Sequence, residues 1–63
     1  MLFGIILYLT AIWDEPYPEK SYILDYMKPN SQVEIIGEEN GFYKVKYVNL
    51  IGWVNRSAIT LKK

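Results

Sequence analysis

Asp14, Glu15 and Glu19 place three carboxylates within six residues of a 63-residue sequence. Paired carboxylates act as acid and base when burial or a like charge drives their pKa values apart. Here they alternate with Pro16, Pro18 and Lys20, a composition that reads as a solvated loop, because proline cannot donate to a strand ladder. Nothing in that stretch raises a carboxyl pKa. The sequence also has no Cys and no His. Thiol chemistry, disulfides, the commonest general base and the commonest metal ligand are therefore absent. A chain this short is expected to be one domain, residues 1–63, with little room for a buried multi-step active site. The expectation is a protein that is not an enzyme, with no catalytic residues, no metal and no cofactor.

Lys44, Lys46 and Arg56, with Phe42 and Tyr43 among them, form a second grouping. Rings that stack on bases beside cations that neutralise phosphate are the equipment for single-stranded nucleic acid. The charge balance argues against that use. Lys plus Arg and Asp plus Glu each total 7, and every acid lies before Asn40, so half of the chain would repel phosphate. Before Asn40 only Lys20 and Lys28 offset the acids; after it only bases occur. Opposite charges on paired strands explain this split as sheet stabilisation. A basic face that steers an acidic partner is the sharper reading.

The third grouping is aromatic. Trp13, Tyr17 and Tyr22 flank the acidic proline loop, and Phe42 and Trp53 lie further along. Clustered exposed rings mark binding surfaces. Sugars and peptides both stack C–H faces on such rings, while carboxylates such as Asp14 and Glu15 attract cationic groups.

The elements that must position these residues are short strands. Apolar residues do not recur at helical spacing; β-prone runs alternate with turn signals. The first strand is expected over Ile5 to Trp13, then the loop Asp14 to Lys20, then an extended run Ser21 to Met27. Lys28-Pro29-Asn30-Ser31 reads as a turn. Gln32 to Glu38 follows, with Val33 and Ile35 on one face. Asn40-Gly41 is the strongest signal, because a two-residue type I′ loop needs positive φ at both positions. Phe42 to Val48 returns, with Tyr43, Val45 and Tyr47 on one face and Phe42, Lys44 and Lys46 on the other. Asn49-Leu50 is the next tight connection, Ile51 to Asn55 a short strand, Arg56-Ser57-Ala58 one helical turn, and Ile59 to Leu61 closes against the first strand.

Val33-Glu34-Ile35-Ile36-Gly37-Glu38-Glu39-Asn40-Gly41-Phe42-Tyr43-Lys44-Val45-Lys46-Tyr47, followed by Gly52-Trp53-Val54, resembles the second half of a bacterial SH3 (SH3b) domain. That family reads as V-x-V, polar residues, G-W-x-K-V-x-Y, a turn, then G-W-V. Met27-Lys28-Pro29-Asn30 stands where the family has Leu-Lys-x-Gly, and the likeness covers about residues 9 to 61. Ala11-Ile12-Trp13-Asp14 is also similar to the Ala-Leu-Tyr-Asp of eukaryotic SH3 domains. By that likeness the groove Trp corresponds to Phe42, the groove Pro to Asn55 and the groove Tyr to Ala58. These exchanges disfavour the usual binding of a PxxP peptide. The loop Asp14-Glu15-Pro16-Tyr17-Pro18 differs from the family's basic, glycine-rich loop.

The resemblance implies an all-β, SH3-like barrel of five to six short antiparallel strands. It implies a non-enzymatic module that recognises a peptide, protein or peptidoglycan ligand at the cell envelope. The ligand-binding residues expected are Trp13, Asp14, Glu15, Tyr17, Tyr22, Phe42, Trp53 and Asn55. The alternative is a small adaptor or accessory subunit docked in a larger assembly. The uncharged Met1 to Trp13 segment is too short to span a bilayer as a helix and lacks the flanks of a signal peptide, which leaves a cytoplasmic location open. Its N-terminal strand is expected to pair with a partner or with a second copy.

Overall fold

Asn40 and Gly41 take φ values of 53° and 81°. They form the tight turn expected of Asn-Gly, and the longest strand of the sheet leads into it. The computed structural model describes residues 1–62. Its strands are β1 (Leu2–Ile6), β2 (Thr10–Trp13), β3 (Ile23–Met27), β4 (Gln32–Glu39), β5 (Phe42–Tyr47), β6 (Leu50–Asn55) and β7 (Ile59–Lys62). Single 3-10 turns occur at Pro18–Lys20 and Arg56–Ala58. All pairings are antiparallel, in one sheet ordered β3-β2-β6-β5-β4-β1-β7. The protein is all-β, as expected of a small SH3-like barrel.

Alternation decides what lies inside. Val33 and Ile35 of β4, Val45 of β5 and Val54 of β6 are buried, and they join Ile6, Ile12, Met27, Ala58 and Ile59 in one core. Tyr43 and Leu50 pack against it. A β-bulge between Ile35 and Gly37 inserts Ile36 as an extra residue and leaves it exposed. Gly4 lets β1 fit between β4 and β7, since a Cβ there would come within 2.5 Å of Ile59 Cγ2.

Three expectations are corrected. Seven strands stand where five or six were expected, because the first apolar run is two strands. Leu7-Tyr8-Leu9 carries no glycine or proline, yet the chain turns there, held by Leu7 N–H donating to the Ala58 carbonyl at 2.8 Å. The N-terminal strand does not offer an edge to a second copy or a partner, because β4 and β7 already flank β1; the open edges are β3 and β7. The connection after β5 is Val48-Asn49, one residue earlier than expected, and Val48 takes φ 55°. Positive φ is rare for a β-branched residue and strains the backbone by about 1–3 kcal/mol.

Among the described residues, opposite charges meet once across neighbouring strands and once between β4 and the second 3-10 turn. Glu34 lies opposite Lys46, and Glu38 bonds Arg56 at 2.6 Å. That exposed pair contributes under about 1 kcal/mol.

Candidate functional site

The outer face of the sheet is built in rows across the strands. Trp13 of β2 stands opposite Trp53 of β6, and Trp53 stands opposite Lys44 of β5. Both tryptophans are partly exposed. Lys44 Nζ lies 5.8 Å from the Trp53 ring centroid, within the range of cation–π attraction. Gly52 makes the first of these pairings possible. A Cβ at Gly52 would come within 2.7 Å of both Ile12 Cγ1 and the Trp13 carbonyl oxygen, so only glycine lets β2 lie this close to β6.

The next row holds Asn55, Phe42 and Glu39, opposite one another on β6, β5 and β4. The acidic proline loop closes over this end. Asn40 donates its side-chain amide to the Pro16 carbonyl at 2.7 Å, and the Tyr17 hydroxyl donates to a Glu39 carboxylate oxygen. That bond, and the Glu39 charge beside it, raise the Tyr17 pKa above its ordinary value. The Ser21 hydroxyl lies 2.8 Å from the Glu15 carbonyl and 2.7 Å from the Tyr17 carbonyl and braces the loop from within.

These contacts sort the expected residues. Trp13 and Trp53 come together. Tyr22 is 76% exposed and adjoins Trp13 through Asp14, whose backbone N–H donates to the Tyr22 carbonyl at 3.1 Å and whose carboxylate accepts from Tyr22 N–H at 2.8 Å. Glu15 is exposed on the same loop. Phe42 requires a correction: it faces away from the core set, as expected, but it is only 8% exposed. Phe42 is therefore a floor rather than an open wall, in the row at the end of the sheet where the loop bonds Asn40 and Glu39. Asn55 Oδ1 accepts from Ser57 N–H and lies beside Ser57 Oγ, both at 2.9 Å, and so caps the 3-10 turn.

Three contributors escaped a reading of the sequence as a ligand groove. Lys44 reads in the sequence as part of a basic grouping with Lys46 and Arg56; its alternation with Phe42 on one strand is the signal that places it on the outer face. Glu39 and Asn40 gave no signal as loop anchors, because their partners are far away in sequence.

The outer aromatic face, the loop folded against the β4–β5 turn and the 3-10 turn before the last strand are the features of an SH3-like module. The family described as bacterial SH3 domain matches residues 19–60. The chain belongs to the bacterial SH3 domain family. No curated protein and no solved structure matches the chain at a significant level. Bacterial SH3 domains are in general binding modules rather than enzymes. Within this bacterial SH3 domain, no group of three or more His, Cys, Asp or Glu side chains suited to a metal occurs among the described residues, and no described helix is long and apolar enough to cross a membrane.

Proposed function

We propose that residues 1–63 form a single non-enzymatic binding domain that recognises a peptide or peptidoglycan ligand through the Trp13–Trp53 face. One observation carries this reading: two tryptophans stand opposite each other on the outer sheet face, partly exposed, with no part in the core cluster. Rings in this arrangement stack on the apolar faces of sugars or peptide side chains. Lys44 at one end of the row suits a ligand carboxylate, and Asp14 and Glu15 near the other end suit a ligand ammonium. Tyr17 holds the loop, Tyr22 extends the aromatic surface, Phe42 supports the floor and Asn55 shapes the adjoining turn. Peptidoglycan stem peptides carry carboxylate, ammonium and small apolar groups together, which favours a place at the cell envelope. Titration of isotope-labelled protein with muropeptides tests the reading. Saturable shifts of the Trp13 and Trp53 indole N–H signals support it; unchanged spectra with muropeptides, together with failure to sediment with purified wall, overturn it.

A second reading is an adaptor docked on a larger protein. It is favoured by β3, an open sheet edge on which Ile23, Leu24 and Tyr26 are all exposed. Open apolar edges accept a further strand. Cross-linking that maps to β3 rather than to the tryptophans would favour this reading.

A further inference from the structure

A concavity lies further along β5, away from the loop. It is an open groove of about 260 Å³, lined chiefly by Phe3, Gln32, Glu34, Lys46, Tyr47 and Val48. Phe3, Glu34 and Lys46 form one cross-strand row on β1, β4 and β5. Lys46 lies two residues beyond Lys44, so the groove shares a strand with the tryptophan row but none of its residues.

Among the residues lining the groove, one carboxylate and one ammonium do not satisfy each other. Glu34 and Lys46 are opposite in register, yet no ion pair joins them among the described residues, where Arg56–Glu38 is the one pair formed. An exposed ion pair is worth under about 1 kcal/mol, so a ligand inserted between these charges forfeits little. Gln32 adds amide donors, because Lys62 Nζ engages its Oε1 at 2.9 Å and leaves its NH2 group available. Phe3, Tyr47 and Val48 supply apolar wall. Val48 lines the groove from the Val48-Asn49 turn, where the two-residue hairpin loop imposes its φ of 55°, and it is 74% exposed.

From these observations we infer that the groove binds a small zwitterion, a free amino acid or dipeptide with an apolar side chain. Its ammonium faces Glu34, its carboxylate faces Lys46 and the Gln32 amide, and its side chain lies on Phe3 and Tyr47. The volume suits this size: at about 30 Å³ per water, the groove of about 260 Å³ exchanges roughly nine solvent molecules for ligand atoms. It is below the usual range of larger organic ligands. Opposite charges on neighbouring strands select a ligand carrying both.

Leucylglycine titrated into labelled protein tests this, with N-acetyl-leucylglycine and leucylglycinamide as controls. The expected result is saturable amide shifts at Phe3, Gln32, Glu34 and Lys46 to Val48, with Kd on the order of 1 mM, and affinity lower by about fivefold or more when either end is capped. Glu34→Gln should abolish the advantage of the free amine without changing the circular dichroism spectrum. Absence of saturable shifts, equal binding of the capped dipeptides, or shifts centred on Trp13 and Trp53 would each overturn the inference. Because the wild-type comparison needs no variant, misfolding of Glu34→Gln would not rescue it.

Discussion

Trp13 and Trp53 stand opposite each other on β2 and β6, the single register pair that joins those two strands. The acidic loop leaves β2 directly after this pair and returns to the β4–β5 turn through Pro16 and Tyr17. Four expectations follow from this contact and from the contacts around it.

Trp53 is central to the row, between Trp13 and Lys44. Trp53→Ala should weaken muropeptide binding by about tenfold or more, the loss typical of an aromatic hot spot. Because Trp53 lies outside the core cluster, the urea midpoint should fall less than for a core truncation. Isothermal titration and urea unfolding of one preparation separate the two effects.

Gly52 has no space for a side chain, and one of the atoms in the way is the backbone oxygen of Trp13. Backbone yields less readily than a flexible side chain. Gly52→Ala should therefore destabilise the fold by about 1–3 kcal/mol. It should also perturb both indole signals, because it pushes β2 from β6. A change under a few tenths of a kcal/mol would show that the strands are less tightly apposed.

Val48 holds a positive φ without burial to offset it. Val48→Gly removes the conformational penalty and adds some unfolded-state entropy, so the net expectation is a gain of about 1 kcal/mol in urea unfolding. A loss of stability would mean that the exposed side chain makes a contact worth more than the strain.

The bond from Tyr17 to Glu39 holds the loop only while the phenol keeps its proton. Its pKa is raised in the folded state, first by that bond and then by the Glu39 charge. The folded protein thus retains a proton that the unfolded chain loses near pH 10. This contribution is full below the ordinary tyrosine pKa and is lost as pH rises through the higher folded value. Wild type should exceed Tyr17→Phe in stability at neutral pH, and the gap should close in strongly alkaline solution. A constant gap across that range would remove the bond as its cause.

Features set by local chemistry were legible in the sequence. Asn40-Gly41 can relieve its turn strain by itself, Val33 and Ile35 alternate within one strand, and Asn55 to Ala58 form their turn over adjacent residues. Features set by distant contacts were not. The break at Leu7-Tyr8-Leu9 depends on the Ala58 carbonyl, and the chain there has no residue type that marks a turn. The docking of the acidic loop beside the Phe42 row depends on Pro16, which lies 24 residues from its partner Asn40. Alternation placed Phe42 on the outer face correctly but carries no information about what folds over that face. The pairing of Trp13 with Trp53 lay between these cases. Gly-Trp-Val marked the residues through family resemblance, while the reason for the glycine became visible only with β2 packed against it.

The central claim is that the Trp13–Trp53 face is the ligand surface. Its most direct test is a heteronuclear spectrum of labelled protein titrated with purified muropeptides, read at the two indole N–H signals. The expected result is saturable movement of both, with the amide of Lys44 following and the β3 amides still. Indole signals that stay fixed while β3 or other signals move would contradict it.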